Sequence, residues 1–383
     1  MEWKEVRLGD VCTRVCSGGT PKSTNLSYYG GEIPWLNTKE IDFNRIYSTE
    51  KTITDSGLNN SSAKWIVPNT VTVAMYGATA GKSCIVKVPM TTNQACCNLT
   101  INDEVADYEF VYYTLKNDYT TLASLANGGA QQNLNAQIIK DYVLQMPSLA
   151  DQRRIASILS SLDRKIELNN KINADLEEMA QAIFKNWFVD FEPFKGGKFV
   201  DSELGMIPEG WKVGTLGELC NFKRGKNLLT KNAIDEGVPV VAGGLEPSCY
   251  HNVANTGAPV ITVSGSGANA GFMRMYHVPV WASDCSFIDI SCENFYFVYC
   301  FLKVNSKLLK HAQTGAVQPH VKPSDIHDFE LVIPDRESIY EFQDKVKPFF
   351  DKIAAIQKEN SRLSLLRDTL LPRLMSGEIE VPE

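Results

Sequence analysis

The sequence predicts a mixed α/β (α+β) fold in which one plan, a globular domain followed by a long helix, is used twice. Three observations lead to this prediction. Several short motifs return in the same order in the second half of the chain. Each half contains β-rich runs separated by Gly, Asn and Ser, and each half ends in a long amphipathic pattern with helical spacing. The 383 residues also exceed what one hydrophobic core usually serves.

The repeat begins at the start of each half. The pattern Trp-Lys-x-x-x-Leu-Gly occurs at Trp3 and again at Trp211, without a gap. A glycine-rich turn at residues 76–81 returns at residues 266–271, and further matches end at prolines 147 and 334. Matches that keep their order indicate an internal duplication.

Within each globule, β-branched and apolar runs at residues 70–74, 238–242 and 260–264 alternate with clusters of turn-forming residues. We therefore expect a twisted sheet with long loops. The predicted globular domains cover residues 1–147 and 206–334. A helix over residues 148–191 with a linker to residue 205 joins them, and a second helix with a tail covers residues 335–383.

Apolar residues recur at spacings of three and four over residues 148–188 and again over residues 337–371. As helices these segments would span roughly 60 Å and roughly 50 Å. Because neither can bury its apolar stripe alone, we expect the two to pack antiparallel as a coiled coil with pseudo-two-fold symmetry. Two independent surface helices are the alternative.

Capping residues are predicted at the start of both helices. Ser148 with Asp151 resembles a capping box, and Ser338 with Glu341 offers a cap to the second helix. Asn169 and Asn173 lie on the apolar stripe of the first helix, where they either set the register or face solvent.

Composition and charge narrow the class of protein. The polar N-terminus and the lack of a long apolar run indicate a cytoplasmic protein. Ten cysteines without C-x-x-C spacing suit reduced, mostly buried thiols and no metal site. The net charge of −7 argues against a protein that holds nucleic acid by bulk electrostatics, so any DNA reading relies on local patches and a partner.

Residues 77–83 resemble a phosphate-binding loop but depart from it. That motif needs four residues between its glycines, whereas Gly77 and Gly81 enclose three, and Phe272 stands in the second half where Lys82 stands in the first. All five histidines lie in the second half, so no catalytic histidine is common to both copies. These facts favour a binding protein over a stand-alone enzyme that uses ATP or S-adenosylmethionine.

The loops of both globules carry side chains suited to DNA. Asn and Gln can pair with adenine, Arg and Lys with guanine, and amides beside glycine can hold phosphates. In the first half the candidates are Thr20, Lys22, Asn37, Lys39, Lys82, Asn93, Gln94, Gly129, Gln131, Gln132 and Asn133. In the second half they are Lys223, Arg224, Lys226, Asn227, Asn269, Arg274, Gln313, Gly315, Gln318, His320 and Lys322. A scaffold whose globules bind protein is the alternative, which exposed apolar loops would favour.

Five stretches resemble a known family. They are Tyr-Gly-Gly-Glu-Ile-Pro-Trp at residues 29–35, Asp-Gln-Arg-Arg-Ile-Ala at 151–156, Lys-Ile-Glu-Leu-Asn-Asn at 165–170, Asn-Trp-Phe-Val-Asp-Phe-Glu-Pro at 186–193 and Ile-Pro-Glu-Gly-Trp at 207–211. Together with the order globule, helix, globule, helix, they resemble the specificity subunit of type I restriction-modification systems. The second helix departs from the family pattern, with Phe-Phe-Asp-Lys-Ile at residues 349–353 where the first helix has Leu-Asp-Arg-Lys-Ile at residues 162–166.

The resemblance implies a non-catalytic subunit in which each globule is a target recognition domain for one half of a bipartite DNA site and the helices form a spacer. It implies two methyltransferase subunits that bind S-adenosylmethionine and two restriction subunits that use ATP and Mg²⁺, with no cofactor bound by this chain. Adenine methylation and cleavage would belong to those partners. Because the two sets of loops differ, we expect two different half-sites.

Overall fold

The computed structural model describes residues 2–126, 133–313 and 319–381. The chain divides into two compact units, and each unit contains one globule and parts of both long helices. Unit 1 consists of residues 1–167 and 360–383, and unit 2 consists of residues 168–359. Each unit is mixed α/β, as the sequence predicts.

The described part of unit 1 contains three sheets. Its strands are β1 (Lys4–Arg7), β2 (Cys12–Ser17), β3 (Tyr29–Leu36), β4 (Arg45–Ile46), β5 (Thr52–Ile53), β6 (Trp65–Ile66), β7 (Val71–Ala74), β8 (Ser83–Val86), β9 (Met90–Thr92), β10 (Cys96–Ile101) and β11 (Val143–Met146). The core sheet has the order β2-β10-β7-β8-β4, a second sheet has the order β5-β3-β9-β6, and β1 pairs with β11.

The helices of unit 1 lie between β5 and β6 and after β10. They are α1 (Asp55–Asn59), α2 (Tyr108–Asn117), α3 (Tyr119–Ser124) and α4 (Ala136–Asp141). The first long helix, α5 (Leu149–Phe188), begins in unit 1 and continues into unit 2.

Unit 2 repeats this plan. Its strands are β12 (Phe199–Val200), β13 (Ile207–Pro208), β14 (Lys212–Thr215), β15 (Lys223–Arg224), β16 (Val238–Val241), β17 (Cys249–His251), β18 (Val260–Ser264), β19 (Met273–Tyr276), β20 (Trp281–Ala282), β21 (Cys285–Asp289) and β22 (Glu330–Ile333). Its helices are α6 (Phe295–Val304), α7 (Ser306–His311), α8 (Pro323–His327) and the start of α9 (Arg336–Met375).

The duplication is visible in strand order and register. The core sheet of unit 2 has the order β15-β21-β18-β19, which matches β2-β10-β7-β8 of unit 1. Lys4 of β1 is opposite Met146 of β11, and Lys212 of β14 is opposite Ile333 of β22. The internal repeat therefore reflects two copies of one topology, to which unit 1 adds β4 at the edge of its core sheet and β6 at the edge of its second sheet.

Both long helices contain 40 residues. The same two residue types, a serine and an aspartate three residues apart, cap both helices, but in opposite order. Ser148 Oγ accepts the backbone N–H of Asp151 at 3.2 Å, as predicted. At the second helix Asp335 is the cap, accepting the backbone N–H of Ser338 at 2.8 Å, so the predicted cap at Ser338 is one turn late. A carboxylate at the helix start satisfies free N–H groups as well as a serine does.

Within each unit, segments of the two long helices contact each other. In unit 2, Phe184 packs on Phe342 at 5.7 Å and Asn169 Nδ2 donates to Glu359 Oε2 at 2.9 Å, which defines an antiparallel pair. Asn169 is 1% exposed, so it does not face solvent; its role in setting the register stays a prediction. In unit 1, Arg367 of α9 pairs with Asp163 of α5 at 2.8 Å.

The core of unit 2 is unusually aromatic. Every residue of α6 from Phe295 to Leu302 is buried, so this helix has no polar face on which the 3.6-residue period could be seen. The sequence shows that segment only as an apolar run. In unit 1 the corresponding α2 contributes Phe110, Tyr112 and Tyr113 to the core.

The cysteines agree with the prediction of reduced, mostly buried thiols. All ten cysteines are free thiols, and most are buried. Among the described residues, no helix has the length and apolar character needed to span a bilayer.

Candidate nucleic-acid interface

In each unit the chain makes a glycine-framed turn directly after an inner strand of the core sheet. Gly77 and Gly81 follow β7 with φ of +76° and +85°, and Gly267 and Gly271 follow β18 with φ of +81° and +77°. In both turns the residue before the second glycine donates its backbone N–H to the first glycine's carbonyl at 3.0 Å. Positive φ strains residues with a Cβ, so the turn itself requires these glycines.

A further glycine follows the first strand of each core sheet. Gly18 donates its N–H to the carbonyl of Cys96 at 3.3 Å, and Gly225 donates to Cys285 at 2.8 Å. A Cβ on either glycine would overlap backbone carbonyl oxygens of the loop that precedes Cys96 or Cys285. The two units therefore bring the same loops together by the same close backbone approach.

The loop before β10 in unit 1, or before β21 in unit 2, lies at the same end of the core sheet as the two glycine-containing loops. We call the surface formed by these three loops the interface edge. Asn93 donates its N–H to the carbonyl of Leu36 at 2.9 Å, and Ser283 donates to Val241 at 2.8 Å. In each unit the acceptor lies at the end of a strand that pairs in parallel, β3 with β9 and β16 with β20. The backbone frame is thus common to the two units, whereas the side chains on it differ.

In unit 1 this edge gathers five predicted residues with amide or hydroxyl side chains. The Thr20 hydroxyl donates to Gln94 Oε1, and Asn93 Nδ2 donates to Asn37 Oδ1 at 3.3 Å. Asn133 forms a backbone bridge with Tyr76, next to the glycine-framed turn. Loops far apart in sequence therefore present one set of amides suited to base edges.

The predicted lysines of unit 1 are paired with carboxylates. Lys82 Nζ lies 2.5 Å from Asp42 Oδ1, and Lys39 Nζ lies 2.5 Å from Glu50 Oε2. The hydrogen bond from Lys39 raises its own pKa and lowers the pKa of the Glu50 carboxyl. Lys82 therefore takes part in an ion pair with a carboxylate.

In unit 2 the same edge carries arginines. Arg224 pairs with Asp284, and the Ser266 hydroxyl donates to the second oxygen of that carboxylate. Arg274 contacts Glu246 Oε2 at 3.0 Å and lies over the Tyr276 ring.

Three further predicted residues of unit 2 join this edge. Asn269 donates to the carbonyl of Gly243 at 3.4 Å, and Gln313 donates to that of Ala270 at 2.8 Å. His320 forms a backbone bridge with Ser266. The turn that carries Asn269 is therefore held from two sides.

Other predicted residues lie elsewhere or cannot be placed. Lys223 lines a cleft with Asp289 and Cys220, away from Arg224. The side chains of Lys22, Lys226, Asn227 and Lys322 are exposed. Gly129, Gln131, Gln132, Gly315 and Gln318 lie outside the described residues.

Sequence reasoning missed the acidic partners of the basic side chains. Asp42, Glu50, Glu246 and Asp284 each pair with a predicted cation, but only the fold brings them together. Ser266 carried a usable signal because it opens the repeated glycine turn.

The described residues contain no group of three or more His, Cys, Asp and Glu side chains suited to a metal ion. Two of the histidines have structural contacts. His327 Nε2 accepts the backbone N–H of Phe222 at 2.8 Å, and His251 packs edge-on against Trp281.

Comparison with known proteins agrees with the two-unit plan. Residues 1–178 and 208–364 each match the family model described as the type I restriction modification DNA specificity domain. The chain is 31% identical to the MjaIX type I restriction enzyme specificity subunit of Methanocaldococcus jannaschii, over 100% of this chain and 94% of the relative. It is 26% identical to the HindI specificity subunit of Haemophilus influenzae, over 71% of this chain and 77% of the relative.

A solved structure shares the fold. The crystal structure of a type I restriction-modification S subunit from M. genitalium superimposes with a TM-score of 0.59 at 20% sequence identity. The match covers 98% of this chain and 96% of the other.

Proposed function

Because the chain belongs to the type I restriction-modification DNA specificity family, we propose that its two units read two different halves of one bipartite DNA site. Recognition of DNA sequence is the role of this family, and its members are specificity subunits with no catalytic part. The proposal concerns the division of the site between the units. The shared backbone frame of the two candidate interfaces carries it.

The side chains on that frame support different half-sites. Unit 1 presents the amides of Asn37, Asn93 and Gln94, which suit adenine. Unit 2 also has amides, at Asn269 and Gln313, but it adds the guanidinium groups of Arg224 and Arg274, which suit guanine. Two surfaces that hold DNA in the same way but prefer different bases are expected to share their backbone arrangement and to differ in their side chains. We therefore propose recognition domains at residues 1–147 and 206–334, each followed in the chain by a long helix.

We propose further that two methyltransferase subunits and two restriction subunits assemble with this chain in the cytoplasm. S-adenosylmethionine, ATP and Mg²⁺ would bind to those subunits and not to this chain. Family membership supports this division, since a specificity subunit supplies recognition and leaves chemistry to other subunits.

Mapping methylated adenines in a genome with and without this gene tests the proposal. We expect methylation to depend on the gene and to fall in a motif with two defined halves of different sequence, separated by undefined bases. A palindromic motif, or one without a gap, would contradict the proposal.

The isolated chain is expected to bind duplex DNA weakly. Its net charge is −7, and four of its candidate cations are paired with carboxylates that phosphates would have to displace. Titration of a duplex with the chain alone and with its methyltransferase partner measures this, and we expect tight binding only with the partner.

A double variant, Asp42→Asn with Glu50→Gln, tests whether the ion pairs of Lys82 and Lys39 weaken DNA binding, or whether the isolated chain lacks a surface that binds DNA. Release of Lys82 and Lys39 should raise the affinity of the isolated chain and steepen its logarithmic salt dependence by up to about 1.8, at about 0.9 for each phosphate contact. Unchanged affinity and slope would show that the carboxylates do not compete with DNA.

A further inference from the structure

We propose that Arg224 reads a guanine in the half-site of unit 2, and that Asp284 is the positioning residue that holds its guanidinium in the reading orientation. This inference rests on the proposed function and assigns one base contact to one residue. It is carried by the geometry around Arg224 and by the absence of that geometry from unit 1.

The first step is the way in which the guanidinium is held. Arg224 is the last residue of β15, and its side chain pairs with one carboxylate oxygen of Asp284. The other oxygen accepts the Ser266 hydroxyl. Because two donors from different loops hold this carboxylate, its position and that of the guanidinium are both defined.

The second step is the surface beneath the guanidinium. A Cβ on Gly265 would overlap the guanidinium nitrogen atoms, so the side chain lies directly against that glycine's backbone. Gly265 is itself fixed, since it donates its N–H to the carbonyl of Asp284 and accepts from Val321 N–H, both at 3.1 Å. The bare backbone of Gly265 therefore lets the guanidinium approach where any larger residue would displace it.

The third step is what remains available. The guanidinium has five N–H donors in a planar fork, and only one side of it faces Asp284. The Arg224 side chain is 46% exposed, so further donors can reach a ligand. Guanine offers O6 and N7 as two neighbouring acceptors in the major groove, which a planar guanidinium bonds in bidentate fashion.

The charge of the pair favours base reading over phosphate binding. Asp284 neutralises most of the attraction of Arg224 for a phosphate, but it leaves the direction of the remaining N–H groups unchanged. An arginine that served only as a phosphate contact would gain from the absence of this carboxylate.

The fourth step is the comparison with unit 1. Equivalent backbone hydrogen bonds identify Ser17, Met75 and Ala95 as the counterparts of Arg224, Gly265 and Asp284. None of the three could build the same arrangement. The guanine contact is therefore specific to the half-site of unit 2.

The test uses the complex of the full chain with its methyltransferase subunits and a duplex library in which each position of the mapped target is randomised in turn. Sequencing of the methylated duplexes gives the base preference at each position. For Arg224→Gln and for Arg224→Lys we expect the preference for guanine to fall about 5- to 150-fold at one position of one half-site, with the other half-site unchanged. Lysine keeps the charge and lacks the fork.

Asp284→Asn separates positioning from a structural role. We expect guanine preference to fall while total affinity for duplex DNA holds or rises, because a carboxylate is removed from the interface. A purely structural role would lower both. Arg336→Gln is the matched control, since Arg336 forms an exposed ion pair with Glu293 in the same unit, at the start of α9, and no base preference should change.

Failure of the guanine contact and failure of the proposed function give different results. Unchanged preference at every position in both Arg224 variants, or a uniform loss of methylation with no position relaxed, would overturn the guanine contact and leave the bipartite motif standing. If the unsubstituted complex shows no bipartite motif, the proposed function itself fails.

Discussion

Replacing Arg45 with methionine is expected to lower the free energy of unfolding of unit 1 by about 3–5 kcal/mol, because it removes the most buried cation from an ion cluster and leaves the carboxylates of that cluster with one cation too few. The Arg45 side chain is 3% exposed and lies 3.2 Å from Glu109, 2.9 Å from Glu167 and 3.8 Å from Asp163. Thermal or denaturant unfolding followed by a probe within unit 1 measures the loss.

The carboxylates around Arg45 depend on the cluster for their partners. Asp163 also accepts the Tyr113 hydroxyl at 2.6 Å, and burial together with that carboxylate raises the pKa of Tyr113 above its ordinary value, so the hydroxyl stays a donor. Removal of the guanidinium would leave Glu109 and Asp163, which are 11% and 9% exposed, with too few donors.

Arg164→Met is the matched control. Arg164 contacts the same Glu109 at 3.2 Å, but its side chain is 59% exposed, so its loss should cost about 1 kcal/mol or less. Equal effects of the two substitutions would show that burial of the cluster does not determine its contribution.

Replacing Phe350 with aspartate is expected to destabilise unit 2 by more than about 4 kcal/mol, since it would bury a carboxylate without a partner. Phe350 is 2% exposed, stacks on Tyr296 at 4.9 Å and meets Tyr299 edge-on at 5.4 Å. Unfolding of the variant, followed by a probe within unit 2, measures the loss.

Phe350→Leu isolates the charge from the loss of the ring. It removes aromatic packing but stays apolar, and it should cost well under half as much as aspartate. If leucine and aspartate destabilise unit 2 equally, shape and not charge limits this position.

Asp163 of the first long helix and Phe350 of the second explain the departure of the second helix from the family pattern. Asp163 and Phe350 are separated by 187 residues, as are the starts of α5 and α9 at Leu149 and Arg336. At the junction between globule and helix, unit 1 has a charged cluster and unit 2 an aromatic one. The duplicated backbone therefore accepts either solution, provided that all members of a cluster change together.

The sequence predicted those features that depend on local pattern. The long helices follow from apolar residues at spacings of three and four, and the glycine turns at Gly77 and Gly267 follow from their repetition. Helix α6 was missed because a helix that is buried on all sides shows no amphipathic period. The cap at Ser338 was misplaced because Asp335 competes for the same role one turn earlier.

The candidate interface could be predicted only in part. Amides and cations beside glycines are visible in the sequence, and the fold brings Thr20 and Gln94 together as it does Arg224 and Asp284. The pairing itself could not be predicted, because partners in one ion pair come from loops separated by whole strands. The sequence also does not show which acidic residues pair with a predicted cation, because most carboxylates on a chain of net charge −7 are solvated.

The most direct test of the central claim, that each unit reads its own half-site, is a methylation map for Gln94→Ala and Arg224→Gln beside the unsubstituted chain. We predict that Gln94→Ala relaxes bases in one half of the motif only and that Arg224→Gln relaxes bases in the other half only. A substitution in one unit that altered both halves, or two substitutions in different units that altered the same half, would contradict the claim.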